Sequence, residues 1–414
     1  MRLLVTLLAL KAAAGESLLR LDDIVAEALE RNPEIRAAQK KYEASRQRPR
    51  QDGSLPDPVF SVGYNSNGSP RPFAGIGKEP TSNAGFSVSQ EFPYPGKRTL
   101  RSNLAEKEAD AEFQAYHAVE LSVIARLKRA YHRLHHAYAA TGILERNKDL
   151  FERLLRITET RYSVGRAAQQ DVFKAQTQIS VIEVRLEQVA RDRRTAEAEI
   201  DSLLNRAPGS PLPQPEATPE PELSLKLEDL QEFARYNAPV LVREQKMIER
   251  AETAVRLARK DYFPDYTLSA GYYNMGGMPD MYTFRADIKL PLYFSRKQRA
   301  AVTEKVQSLA ESKRSYEAAD QSLLFKLAED YHAAETSARL AKLYSLTIMP
   351  QAGLALESSL SSYETGAVDF LSVLTNSISV LEYEMNYHEE IEAFQLALTR
   401  LEEMTGIRDV GTPR

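Results

Sequence analysis

The chain contains no cysteine. That excludes disulfides, thiolate metal sites and a lipidated N-terminal cysteine, and it fits an oxidising compartment without requiring one. Proline is missing between Pro95 and Pro208, and the glycines of that interval are Gly96, Gly142 and Gly165. Leu292 to Met349 holds neither residue. Two such stretches predict two very long helices. The arm from Lys97 to Arg161 would measure roughly 95 Å at the usual rise per residue, so an elongated molecule is expected. An excess of one charge is missing too. With 54 basic and 58 acidic residues interspersed, the net charge is −4 and no nucleic-acid footprint exists. There is no nucleotide loop, no H-E-x-x-H and no glycine-rich phosphate cradle, so neither catalysis nor a cofactor is expected.

Long apolar runs are also absent outside the start of the chain. Met1-Arg2 is followed by Leu3 to Leu10 and then by Ala12-Ala13-Ala14-Gly15. A basic residue, a short apolar core and a small-residue site describe a secretory signal peptide over residues 1–14. No other segment approaches the ~20 apolar residues of a membrane-spanning helix.

What is present is a duplication. Tyr162-Ser163-Val164-Gly165 returns as Tyr363-Glu364-Thr365-Gly366, and Asn32-Pro33 as Asn237-Ala238-Pro239. Pro56-Asp57 returns as Pro264-Asp265, and Phe92-Pro93 as Leu290-Pro291. Four echoes in order, at an offset near 200 residues, define a tandem repeat. The predicted domains are 15–205 and 223–407, joined by a linker over 206–222 with six prolines, and a tail over 408–414.

Each repeat carries two strands and a helical hairpin. Strands are predicted over 59–65, 83–92, 266–273 and 282–291, with turns over 162–168 and 363–369. After Gly165, residues Val172, Ala175, Ile179, Ile182, Leu186 and Val189 alternate spacings of three and four, an a/d seam broken once at Arg193. Pro350 and Gly353 are expected to kink or break the second long helix before its turn. In the strands, Phe86, Val88, Leu268, Ala270, Phe284, Ala286 and Ile288 share the apolar face, while Arg285, Asp287 and Lys289 alternate with the last three. A membrane barrel strand gives this pattern, and so does a soluble sheet edge. Four strands cannot close a barrel, and an open edge is not tolerated in lipid. A membrane location therefore demands several chains: three give twelve strands, two give eight. Basic residues follow both strand-to-helix joins, Lys97, Arg98 and Arg101, then Arg296, Lys297 and Arg299; lipid headgroups or plain solvation would both suit them.

Two clusters suggest metal chemistry. His132, His135 and His136 share one helix face, though a polar helix surface places them equally well. Met275, Met278 and Met281 lie in the loop between two strands, where Gly276, Gly277 and Pro279 exclude a helix. Thioethers suit Cu(I); packing on a barrel rim is the bland alternative.

With strand pairs, proline joins and repeated turns in place, the chain resembles the TolC-type outer-membrane efflux proteins. The resemblance is carried by Ala28-Leu29 with Asn32-Pro33, by Pro56-Asp57-Pro58, by Tyr162…Gly165…Asp171-Val172 and by Tyr363…Gly366…Asp369-Phe370-Leu371. It implies a mainly α fold with a β membrane part. Tandem-duplicated helical hairpins would form a trimeric α-barrel, about 100 Å long with an equatorial collar, below a shared 12-stranded β-barrel. It implies a homotrimer in the bacterial outer membrane with a large periplasmic extension. Its partners would be outer-membrane lipid, a periplasmic adaptor (membrane fusion) protein and an inner-membrane transporter of RND or ABC type. The implied function is efflux of drugs or of copper and silver. A type I secretion exit duct and a structural periplasmic coiled coil are the alternatives. Tyr162, Gly165, Asp171, Tyr363, Gly366 and Asp369 would form the periplasmic tip that docks the adaptor, and Arg161, Arg166 and Glu364 would pair within or between chains to hold it shut. Family members often carry aspartates six and nine residues after the second turn glycine; here Ser372 and Thr375 occupy those places.

Overall fold

The computed structural model describes residues 18–67, 70–217 and 220–407. The predicted signal peptide and the 408–414 tail lie outside the described residues. In chain order the elements are α1 (Leu21–Arg31), α2 (Pro33–Ser45), α3 (Arg48–Asp52), β1 (Val59–Asn65), β2 (Asn83–Phe92), α4 (Lys97–Ser163) and α5 (Gln169–Leu203). The second half repeats the order with α6 (Leu227–Asn237), α7 (Pro239–Lys260), β3 (Asp265–Asn274), β4 (Met281–Lys289), α8 (Lys297–Leu343), α9 (Met349–Thr365) and α10 (Phe370–Thr405). They form two compact units. One comprises residues 18–37, 117–238 and 322–407, the other residues 38–116 and 239–321.

The first unit is helical. The proline-free and nearly glycine-free sequence gives α4 its 67 uninterrupted residues. Asn32 shows how the shorter helices are joined. Its buried side chain accepts from the backbone N–H groups of Glu34 and Ile35 and donates to the Leu203 carbonyl at 2.9 Å. One side chain thereby caps α2 and fastens it to the end of α5. The linker is anchored as far as Glu216. Leu19 and Pro215 form a parallel bridge, and the Tyr131 hydroxyl donates to the Leu19 carbonyl at 3.1 Å. Buried Asp201 accepts from the Gly209 and Ser210 amides, both at 3.0 Å.

The predicted seam of α5 is its packing face. Val172, Ala175 and Ile182 are buried, and Ile179, Leu186 and Val189 pack against the same cluster, together with Leu144, Phe151 and Leu154 of α4 and Val373 and Leu381 of α10. The break at Arg193 has a physical role: its guanidinium lies 4.2 Å over the Tyr138 ring and its Nε donates to Glu197 at 2.8 Å. At Pro350 the second long helix is distorted rather than ended, as its sequence predicts. A π-helical turn over Tyr344–Ile348 leads directly into α9. Proline removes one donor and crowds the carbonyl four residues back, and a widened turn relieves both. Gly353 lies within α9.

The second unit carries a four-stranded antiparallel sheet in the order β1-β2-β3-β4. Its register pairs Phe60 with Val88, Val88 with Ala270, and Ala270 with Phe284. β4 ends at Lys289 rather than at the predicted 291. Pro291 has no N–H for a ladder, and the Leu292 amide turns back to the Leu290 carbonyl at 3.0 Å.

Candidate functional site

Two constructions stand out, one in each unit. In the sheet, side chains directly opposite one another share a face. The register therefore places Phe60 and Val62, Phe86 and Val88, Leu268 and Ala270, and Phe284, Ala286 and Ile288 together. All seven residues of the predicted apolar face lie on it. The chain does not cover this face: Phe284 is 83% exposed, and Phe60, Val62 and Ile288 are exposed as well. Tyr64, Tyr272 and Tyr282 occupy its loop end, Phe92 and Tyr266 its helix end. The opposite face carries Ser61, Ser87, Ser269, Thr283, Arg285, Asp287 and Lys289. Ten residues in β3 span roughly 33 Å. Tilted by about 45°, they match an apolar band about 25 Å tall. Both outer edges, β1 and β4, are unpaired among the described residues.

Glycine on the polar face has a use that the sequence does not announce. A Cβ at Gly85 would lie 2.0 Å from the Tyr272 carbonyl oxygen, and one at Gly271 would lie 2.8 Å from the Tyr273 ring. The tyrosine ring fills the space left by both glycines. In the distal loops, Gly276 approaches Gly77 so closely that a Cβ would meet its backbone at 2.6 Å. Met275 contributes its carbonyl to the Gly77 amide at 3.1 Å. Met278 follows in the same loop, and Met281 opens β4 opposite Tyr273 on the polar face.

The joins of strand to helix hold a buried charge. Lys97 is only 3% exposed, and its ammonium donates to Asp265 at 2.9 and 3.1 Å and to the Phe263 carbonyl at 3.3 Å. Asp265 also accepts from the Tyr94 amide at 2.7 Å. Lys97 is thus neither at a headgroup nor solvated, because the turn at Pro95-Gly96 points it inward against β3. Arg98 donates to the Gly53 carbonyl at 2.9 Å. Sequence reasoning missed this lock, although the repeated Pro-Asp at Pro264-Asp265 marks it.

In the helical unit the two repeated turns have one backbone design. Gly165 donates to the Tyr162 carbonyl and Arg166 to the Arg161 carbonyl; Gly366 donates to that of Tyr363 and Ala367 to that of Ser362. These are two Schellman motifs, with φ of +72° at Gly165 and +82° at Gly366. Their side chains have diverged. Tyr162 is 46% exposed, whereas Tyr363 is 4% exposed. Asp369 caps α10 by accepting from the Ser372 hydroxyl and from the Ser372 amide at 3.1 Å, and these bonds hold its carboxyl below the usual aspartate range. The equivalent place before α5 is Ala168, which gives no side-chain cap; Asp171 sits within the first turn.

Arg161 joins the two turns of the chain through a ring and a carbonyl. Its guanidinium lies 4.5 Å over the Tyr363 ring and donates to the Tyr363 carbonyl. A Cβ on Gly366 would stand 3.3 Å from its terminal nitrogen. Arg166 and Glu364 form no ion pair among the described residues. The reason is local: the Schellman turn presents the Tyr363 carbonyl and ring together, a better seat for a planar cation than an exposed carboxylate. Thr158, fully buried, lies 3.3 Å from the Tyr363 hydroxyl. A threonine one turn ahead of Arg161 was the available signal for it.

The histidines do not converge on a metal: no group of three potential ligands occurs among the described residues. His136 instead pairs with Glu392 of α10 at 3.2 Å. Burial, then Lys128 and His135, lowers His132 to about 3. Burial, then His136, His135 and Arg146, lowers His388 to about 4. Burial pushes the Glu392 carboxyl up against the opposing pull of His136 and Arg133.

An unclosed sheet with one apolar exposed face, in a chain with duplicated long helical hairpins, is the build expected of a channel-forming protein of an outer membrane. The family model described as outer membrane efflux protein matches residues 24–206 and 231–407, and the chain belongs to that family. It is an efflux channel of the outer membrane and not an enzyme. The pyoverdine export outer membrane protein OpmQ of Pseudomonas aeruginosa is 23% identical over 345 residues, 78% of this chain and 68% of the relative. The fold is shared with CusC (TM-score 0.79, 16% identity, 93% of this chain and 91% of that one). It is shared equally with VceC of Vibrio cholerae (TM-score 0.77, 19% identity, 93% and 96%).

Proposed function

We propose that three copies of the chain pair β4 of one with β1 of the next and close a twelve-stranded barrel in outer-membrane lipid. The observation that carries this is the exposed apolar face backed by a polar one on a sheet with two free edges. Free edges are intolerable in lipid, and twelve strands leave a polar lumen where four leave none. The Schellman turns at Gly165 and Gly366 form the periplasmic end, where a membrane fusion protein fed by an RND or ABC transporter docks. Gly165, with nothing within 4 Å of its Cβ position, leaves backbone open to a partner helix. Arg161 on Tyr363 is the latch of the resting state within each chain. Efflux assays in cells dependent on this channel test the docking. Gly165 and Gly366 exchanged for bulky residues should leave the protein in the outer membrane and abolish transport; normal efflux by both removes the docking claim.

For the cargo, small molecules and soft metal ions are the two readings. OpmQ is named for pyoverdine export, which favours a small organic solute. Met275, Met278 and Met281 favour copper or silver, since two lie in one loop and the third on the polar face of β4. Replacing all three by leucine removes sulfur at nearly constant volume. Lost copper or silver tolerance supports the metal; unchanged tolerance leaves the organic cargo.

A further inference from the structure

The duplication sets out the strands as well as the helices. Counted from Pro56 and Pro264, Phe60-Ser61-Val62-Gly63-Tyr64 of β1 falls on Leu268-Ser269-Ala270-Gly271-Tyr272 of β3. Counted back from Pro93 and Pro291, Phe86 and Val88 of β2 fall on Phe284 and Ala286 of β4. The two hairpins share one register, for Phe60 faces Val88 as the equivalent Leu268 faces Ala286. Where the repeats join, β2 sets Phe86 directly opposite Tyr272 of β3, with ring centroids 5.8 Å apart. β4 and β1 carry the same two residues, Phe284 and Tyr64, on the two outer edges of the sheet. There they are 83% and 42% exposed. Gly63 departs from its equivalent in the same way. A Cβ at Gly271 would lie 3.2 Å from Ser87 on the neighbouring strand, whereas one at Gly63 would meet nothing within 4 Å.

We propose that β4 of one copy meets β1 of the next in the register that β2 and β3 show within the chain. The proposal rests on the three-copy reading above and adds which residues meet. Phe284 then lies opposite Tyr64 of the partner subunit, Arg285 opposite the partner's Gly63 and Asp287 opposite the partner's Ser61. The space open at Gly63 goes to the Arg285 side chain, whose Nε donates to Asp287 at 2.9 Å. Only even shifts from this register compete with it, since an odd one turns the apolar face of one strand into the lumen. The ladder runs from Phe60 through Val88 and Ala270 to Phe284. Crossing from there to the partner's Tyr64 advances four residues along β1. That step tilts twelve strands close to the lower end of the usual ~35–45°. A step of two residues would give about half that tilt. A step of six would set Val59 against Pro291, which has no N–H for the ladder, and would leave edge backbone unpaired in lipid.

The chain has no cysteine, so two introduced thiols report on one contact alone. Within one chain β1 and β4 stand at opposite edges of the sheet, and a bond between them joins two copies. Directly opposite residues lie about 4.5–5.5 Å apart at Cβ and diagonal ones about 7–8 Å; a disulfide spans only the first distance. Ser61→Cys is combined in the full-length protein with Arg285→Cys, Asp287→Cys or Lys289→Cys. All four positions are exposed on the polar face, so the chain folds alike in each variant. Purified in detergent, each is oxidised with diamide and run on a denaturing gel without reductant. Ser61→Cys with Asp287→Cys should give covalent trimers, while the other two pairs and each single substitution stay at the mass of one chain. Trimers from Ser61→Cys with Arg285→Cys or with Lys289→Cys, in place of Asp287→Cys or equally with it, would overturn the register. Cross-linking by none of the pairs would overturn it too, and the mass in detergent before oxidation separates the two failures. Three chains without a cross-link remove this inference alone, and a single chain removes the reading beneath it.

Discussion

Arg161 and Tyr363 lie 202 positions apart, yet one guanidinium joins the two helical turns through a carbonyl and a ring. A partly buried, charged hydrogen bond of this kind contributes at most about 1.5–3 kcal/mol. Arg161→Ala should lower the melting temperature and raise single-channel conductance, whereas Glu364→Ala, with no pair to lose, should leave both unchanged. Gly165 and Gly366 share a positive φ, but only Gly366 sits against Arg161, its Cβ position 3.3 Å from the guanidinium. Alanine at either costs about 1 kcal/mol of backbone strain. Gly366→Ala should also displace the latch, so conductance should rise in that variant and not in Gly165→Ala. Lys97→Met should be the most damaging single change, since it leaves Asp265 without its cation; about 3–5 kcal/mol is expected, read as lost assembly. The histidines set the pH response. His132 and His388 are held neutral, at about 3 and about 4, against an ordinary 6.5. The unfolded chain therefore takes up protons first. Their stabilisation is complete above about pH 6.5 and is lost as pH falls toward 4. Glu392, pushed the other way, offsets part of that loss. Helix melting followed by circular dichroism should fall over this window in the wild type and fall less in His388→Gln.

At the scale of elements, the strongest test falls on β4. A lysine at Phe284 or an arginine at Ala286 places charge on the lipid face and should cost about 2–4 kcal/mol near mid-membrane; unchanged yield of assembled protein would remove that face from lipid. Much of this level was legible in the sequence for clear reasons. Side-chain alternation has a fixed period of two, so the seven apolar strand residues could share only one face. The seam of α5 was legible because its spacing matches a helix, and the duplicated Tyr-x-x-Gly marked both turns. The remainder depended on contacts between residues far apart. Nothing near Lys97 announces a partner 168 positions away, and nothing near Arg161 announces a seat on a carbonyl and ring 202 positions away. Pro350 marked a distortion of the helix, but not that a π turn would carry it.

At the scale of the molecule, the account stands on closure. One chain offers four strands, an apolar face with no cover and two free edges, and no arrangement of that chain alone satisfies them in lipid. The most direct measurement is the mass of the purified, folded protein in detergent, by light scattering with the detergent contribution subtracted. Three times the mass of one chain, with transport-competent conductance in a planar bilayer, is the predicted result. A stable, folded monomer or dimer of full conductance would contradict it.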